Sequence, residues 1–166
     1  MDALFTRRSI RKYTTDPIAP ETIRYLLKAA MCAPNALGNR PWHFIIIDDR
    51  QILDRVPEVH PYAKMVPQAP VAVVVCGDMS FERSEAWWYQ DCSAATENLL
   101  LAVAQRELGA VWLGVYPRED RVNGLKRLLN LPDNIVPFSL IPIGHPAEEK
   151  EPNDIFEEDK VHYNIW

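Results

Sequence analysis

The chain has 166 residues, 48% hydrophobic and 25% charged, the balance of one globular domain long enough to bury its own core. Lys and Arg total 18 against 23 Asp and Glu, a formal net charge of −5, which argues against a general nucleic-acid or anionic-membrane binder. The three dispersed cysteines (Cys32, Cys76, Cys92) and four scattered histidines suggest neither a disulfide framework nor a metal site. No apolar run reaches the ~20 residues of a membrane span, and MDALFTRRSIRKY lacks the features of a signal peptide. The expectation is a single domain over residues 1–166, cytoplasmic and reduced.

In chain order, Pro20–Ala33 reads as an amphipathic helix, because Ile23, Leu26, Leu27 and Ala30 recur at helical spacing between Pro20 and Pro34. Trp42–Ile47 and Val71–Cys76 are short β-branched runs suited to buried strands, with a short helix, Gln51–Val59, between them. Trp88–Leu108 is the longest periodic segment. Its apolar residues nearly encircle the helix, so several sides must be covered; a subunit partner would do this, or the chain's own wrapping. Ala110–Tyr116 reads as a third strand, Arg118–Asn130 as a helix and Ile135–Ile143 as a fourth strand. Pro137 and Pro142 would place that last strand at an edge or restrict it at both ends. The pattern predicts an α+β domain with helices packed on a mixed sheet. The tail, Glu148–Trp166, is charged but carries Phe156, Tyr163 and Trp166, so it is either disordered or laid across a surface by those aromatics.

The chain lacks a nucleophile elbow, a P-loop and any G-x-G-x-x-G, and has only 6 glycines. Any phosphate would therefore be held by side chains. Arg7, Arg8, Ser9, Arg11 and Lys12 concentrate four cations and a hydroxyl in six residues. Extended, Arg7, Ser9 and Arg11 face one way; helical, Arg7 and Arg11 do. Either arrangement suits a phosphate monoester, and either also suits a solvated basic patch. The loop Ala33–Phe44, between a helix and a strand, sits where binding residues often lie. Gly109 and Gly114 would let a flat ligand approach the backbone, or would simply form turns.

RRSIRKY, APNALGNRPWHFIII, DCSAATENLLLAVAQRELGAVWLG, LIPIGHPAEEKEP and KVHYNIW follow one another along nearly the whole chain. In that order they resemble the motifs of the nitroreductase family of FMN-dependent oxidoreductases. The resemblance implies a nitroreductase-like α+β fold, a mixed central sheet flanked by helices, and a homodimer with FMN sites at the interface. It also implies a domain-swapped tail, residues 148–166, wrapping the partner.

By position, the resemblance assigns Arg7 to the FMN phosphate, Arg8 and Ser9 to the phosphate–ribityl region and Arg11 to the pyrimidine edge. Pro34, Asn35 and Ala36 would approach the flavin from the other subunit, while Leu113, Gly114 and Val115 would line the ring with a backbone N–H near N5. The chain departs from the family pattern at Gly38–Asn39–Arg40, where Asn39 is shifted by one, and at Asn35, where Ser is usual. Ile155 stands where a tail Arg is common, leaving Lys160 as the tail's cation for the phosphate.

The implied activity passes electrons from NAD(P)H through flavin N5 to a nitroaromatic, quinone or related small acceptor by a ping-pong route. The flavin carries that chemistry, so no side chain is expected as a catalytic acid or base, and no metal is called for. Trp87, Trp88 and Tyr89 are candidates for stacking on substrate or for packing at the helix start. The alternatives are a non-catalytic flavin-sequestering protein, a dehalogenase-type variant of the family and, on the basic segment alone, a nucleic-acid binder.

Overall fold

Two β-branched runs set the middle of the structure, a computed structural model that describes residues 2–81, 87–153 and 155–166. They form β1 (Trp42–Ile47) and β2 (Val71–Asp78), paired antiparallel from Trp42↔Gly77 to Ile47↔Ala72. On its other side β2 pairs antiparallel with β5 (Ile135–Gly144), which also pairs with β3 (Gly109–Ala110) and β4 (Leu113–Gly114). The order is β1-β2-β5-β3, with β4 beside β3 along β5. All these pairings are antiparallel, and the parallel component of the sheet is the isolated Ser9–Ala110 bridge.

The last strand is therefore interior, not an edge. Its prolines are accommodated by two irregularities. Pro137 lies opposite Cys76 at the bulge between Val75 and Cys76, where the register skips Phe138. Pro142 faces the gap between β3 and β4, which pair with Ile143 and Leu140 respectively, so no ladder N–H is required there. The single strand expected over Ala110–Tyr116 is broken at the same gap, around Val111 and Trp112.

Side chains of β2 alternate between two cores, as the two-residue period requires. Val73 and Val75 pack with α2 (Pro20–Met31) and α4 (Trp88–Gln105) through Leu26, Leu99 and Val103. Ala72 and Val74 pack with α3 (Arg50–Val59) and α5 (Glu119–Leu129) through Leu53, Val56 and Leu125. With both faces covered, β2 is buried along nearly its whole length, which is why its sequence is a continuous apolar run.

The central helix α4 stops at Gln105, three residues before the expected end, because Glu107 turns to φ +58° and Leu108 N–H closes on the Val103 carbonyl. The chain's own elements bury Cys92, Ala95, Leu99 and Val103, but Ala94, Leu101 and Ala104 remain half-exposed. No helix among the described residues is long and apolar enough to cross a membrane.

After the one-turn helix α1 (Ala3–Thr6), the basic segment is extended along β3 and the start of the tail. Ile10 N–H donates to the Ala110 carbonyl at 2.9 Å, Thr14 N–H to His145 and Ala147 N–H to Lys12. The tail is tied back as far as Asn153, whose N–H donates to the Phe5 carbonyl at 3.2 Å. Beyond that, Ile155, Phe156, Tyr163, Ile165 and Trp166 are exposed. Asp154, inside the expected tail, lies outside the described residues.

Candidate functional site

The extended basic segment feeds two recesses. The first, about 370 Å³, lies between the segment, the C-terminal half of α4 and residues 146–152, and its lining mixes Arg7, Arg8 and Lys150 with Glu107, Glu148, Glu149 and Glu151. Arg7 Nε pairs with Glu97 Oε1 of α4 at 3.5 Å, and Arg8 Nη1 donates to the Glu151 carbonyl. Lys150 Nζ donates to the Ser9 carbonyl at 2.6 Å and lies 3.6 Å from Glu148 Oε1. Arg11 N–H donates to that same Glu148 oxygen at 2.6 Å. This bond, with the nearby lysines Lys150 and Lys12, holds the Glu148 carboxyl below the usual carboxylate range against slight desolvation.

The second recess, about 590 Å³, opens over β4. Arg11 enters it from the basic segment, Trp112, Leu113 and Gly114 form one wall, His60 comes from the end of α3, Lys64 from the turn that follows it and Arg121 from the start of α5. Its charged lining is Arg11, Lys64 and Arg121, with no carboxylate among the described residues, in a protein of net charge −5. A cavity of one sign focuses field on an anionic ligand.

His60 is 1% exposed, and its Nε2 lies 3.0 Å from the Gly114 carbonyl. A carbonyl only accepts, so Nε2 carries the proton. Burial lowers the imidazole pKa against the opposing Gly114 bond, with the Arg121 charge adding to the lowering.

Gly114 shows what the second recess admits. A Cβ built on it meets nothing within 4 Å, and its φ is not in the left-handed region. Nothing inside the chain requires glycine there. A bare backbone facing a recess ringed by cations suits a flat ligand lying directly on the strand.

Five of the twelve expected site residues line these recesses: Arg7 and Arg8 in the first, Arg11, Leu113 and Gly114 in the second. Ser9 runs between them, its carbonyl taken by Lys150. Val115 is fully buried in the α3–α5 core, and its N–H is bonded to the Phe138 carbonyl at 3.1 Å, so it offers neither side chain nor N–H to a ring.

Pro34, Asn35, Ala36 and Asn39 line neither recess. Their loop folds on itself beside α4: Ala36 N–H donates to Asp91 Oδ1 at 2.9 Å, Arg40 N–H to Asn35 Oδ1 at 2.9 Å and Asn39 N–H to the Ala36 carbonyl at 3.1 Å. Lys160 is held on the exposed tail by Glu157 at 2.6 Å and does not join Arg7 and Arg8. The lysine in that recess is Lys150, inside the PAEEK stretch but unassigned by sequence reasoning. His60, Lys64 and Arg121 were also missed, since no local motif connects them.

Trp88 is 4% exposed and packs edge-on against Tyr116 and Phe138, so it is a core residue and not a stacking lid. Tyr89 stacks on Tyr116 at 6.3 Å, and Tyr89 and Trp87 are both partly exposed. Among the described residues no group of three His, Cys, Asp or Glu is placed to hold a metal ion.

The nitroreductase family model matches residues 4–60 and 55–145, more than half of the chain. The chain belongs to the nitroreductase family. A Methanothermobacter thermautotrophicus protein, provisionally named an NADH dehydrogenase/NAD(P)H nitroreductase, is 51% identical over 166 residues, covering 100% of this chain and 87% of that protein. An FMN-dependent nitroreductase from Clostridium difficile superposes with a TM-score of 0.92 at 29% identity, covering 99% of each chain. A provisionally assigned Desulfovibrio desulfuricans nitroreductase in complex with FMN gives a TM-score of 0.85 at 30% identity, covering 99% of this chain and 95% of the other. A more distant relative, an iodotyrosine deiodinase from Haliscomenobacter hydrossis, is 24% identical over 187 residues, 93% of this chain and 82% of that protein. In this nitroreductase-family fold two segments, Arg7–Arg11 and Leu108–Gly114, reach both recesses.

Proposed function

We propose that the protein is an FMN-dependent oxidoreductase that takes electrons from NAD(P)H and passes them in a second half-reaction to a nitroaromatic, quinone or related small acceptor. The open backbone of Gly114 beneath a recess lined by three cations carries the reading: it fits a planar ring that gains negative charge on reduction. Membership of the family makes the protein an NAD(P)H-dependent oxidoreductase with FMN as its cofactor.

When bound, the flavin supplies a hydride acceptor at N5 and returns two electrons to the acceptor. The chain's own residues bind and tune. Arg7, Arg8 and Lys150 hold the phosphate by charge-assisted hydrogen bonds, for which Arg7 exchanges its Glu97 contact. Arg11 and Lys64 face the pyrimidine edge and favour negative charge there. Leu113 and Gly114 form the flat floor. Protons for the acceptor come from solvent, so the chain needs no acid–base pair.

Pro34, Asn35, Ala36 and Asn39 complete the site from a second copy. Two surfaces of the single chain support a homodimer. One is the tail, with six large apolar residues uncovered beyond Asn153. The other is an apolar groove of about 740 Å³ between α2 and β1, lined by Ile18, Ile23, Leu27, Met31 and Ile46. Each needs a cover that the other can supply, and the half-exposed apolar residues of α4 add a third contact. Lys160 would reach a phosphate only through such a swapped tail.

The deiodinase relative keeps a dehalogenating variant as the second reading. The discriminating experiment is anaerobic reduction of the FMN-loaded protein by NADPH and by NADH, followed by addition of a nitroaromatic, a quinone or a halotyrosine. The reductase reading expects the visible flavin band to bleach with a nicotinamide and to return with the nitroaromatic or quinone. Return with the halotyrosine alone would establish the variant, and a bound flavin that never bleaches would establish sequestration.

A further inference from the structure

The Gly114 carbonyl accepts two hydrogen bonds, from His60 Nε2 at 3.0 Å and from Arg121 Nη1 at 2.7 Å. The donors come from different elements. His60 caps the end of α3, and Arg121 lies in the first turn of α5. Only their folding onto β4 brings both to the peptide that floors the second recess. His60 Nδ1 and Arg121 Nε are buried without a hydrogen-bond partner. A buried polar atom left unsatisfied is costly, so its retention calls for a reason.

We propose that His60 and Arg121 are a positioning pair that fixes the Gly114 peptide and pins a cation beside it, thereby favouring the reduced, anionic form of the bound flavin over the oxidised form. The proposal rests on the flavin reading and adds two residues to it.

Three features of the geometry support this. First, with both lone pairs of the Gly114 carbonyl engaged, the β4 edge is held in one orientation, although Leu113 and Gly114 alone form that short strand. Second, Arg121 would otherwise be a surface arginine free to swing into water. The Gly114 bond and a ring contact, with its guanidinium 5.2 Å from the Tyr62 centroid, keep its charge at the recess. Third, the neutral His60 donates through Nε2 without adding a charge of its own. Its depressed pKa agrees with that state, so the electrostatic part is assigned to Arg121 and the orienting part to His60.

The test measures the dissociation constant of oxidised FMN and the two-electron midpoint potential of bound FMN in wild type, Arg121→Gln, His60→Leu and His60→Gln. Arg121→Gln is expected to weaken reduced FMN about tenfold more than oxidised FMN, lowering the potential by about 30 mV for a two-electron couple. His60→Leu, which removes the Nε2 donor, is expected to raise the oxidised-FMN dissociation constant several-fold. His60→Gln, whose amide can donate at similar reach, is expected to restore wild-type binding. A merely structural role would move thermal stability without a selective change in potential.

If Arg121→Gln and His60→Gln bind FMN at wild-type affinity and potential, and folded His60→Leu does too, the pair has no positioning role and the proposal is overturned. Should His60→Leu not fold, unchanged potential in Arg121→Gln overturns it alone. Failure of the wild type to bind FMN would instead remove the flavin reading, and this inference with it.

Discussion

The Ala36 N–H donates to Asp91 Oδ1 at 2.9 Å, tying the loop after α2 to the first turn of α4 across 55 residues of sequence. Asp91 is buried, and its other oxygen, Oδ2, has no partner. The carboxylate thus sacrifices solvation to hold one loop amide in place. Asp91→Ala is expected to destabilise the fold by about 1–3 kcal/mol, the usual effect of stranding a buried donor. Asp91→Asn, which keeps an acceptor at Oδ1, should lose much less. Urea unfolding of the three proteins checks this, and an alanine variant as stable as wild type would contradict it.

Arg7 and Arg11 line different recesses, and on the proposed flavin reading Arg11→Ala removes a cation from the ring site and Arg7→Ala one from the phosphate site. Each should weaken FMN binding by about 1.5–3 kcal/mol, the worth of a charged hydrogen bond. Isothermal titration with FMN and with riboflavin distinguishes them. The Arg7 variant should lose its preference for the phosphorylated form, whereas the Arg11 variant should weaken both ligands. Unchanged FMN affinity in both variants would take the basic segment out of the site.

The strands and long helices were legible in the sequence because their signals are local. Trp42–Ile47 is the strand expected to the residue, and the α3 and α5 helices match within a residue at each boundary. The segment 110–116 was read as one strand because its apolar residues are contiguous. The break lies in its partner, where Pro142 offers no ladder N–H, and that is a long-range fact. The basic motif was visible as charge, but its extended form depends on bonds to Ala110, His145 and Glu148. His60, Lys64 and Arg121 were invisible for the same reason: no local motif connects them, and the packing of the turn after α3 and the start of α5 beside β4 brings them together.

The Asp78 carboxyl at the end of β2 links stability to acid pH. Slight desolvation pushes the Asp78 carboxyl up, but hydrogen bonds from Ser80 and Asn134, with His43 beside it, outweigh this and hold its pKa at about 2 against an ordinary 3.8. A depressed pKa contributes stability above the ordinary value and loses it as pH falls through the folded one. The window is therefore about pH 4 down to pH 2. Asp78→Asn should be less stable than wild type at neutral pH, and the gap should close across that window. A gap in thermal midpoint that stays constant from pH 6 to pH 2 would contradict the assignment.

Truncation before Asn153 removes Ile155, Phe156, Tyr163, Ile165 and Trp166 together, all exposed on the single chain. If the tail covers a second copy, the shortened protein should dissociate, or lose dimer stability by several kcal/mol, given ~25 cal/mol for each Å² of apolar surface left uncovered. Sedimentation equilibrium of full-length and shortened protein measures it. A shortened protein that remains a dimer with unchanged affinity would show the tail contributes nothing to assembly.

The FMN binding isotherm of Gly114→Val, taken beside its thermal midpoint, tests whether a flavin ring lies directly on the backbone of Gly114. A Cβ at this position meets no atom of the chain within 4 Å, and a β-branched residue suits a strand, so the variant should fold with little loss of stability. The account predicts that it nonetheless loses FMN affinity by at least about tenfold, roughly 1.4 kcal/mol, because the new methyl groups occupy the ring's place. A stable Gly114→Val protein that binds FMN as tightly as wild type would contradict it.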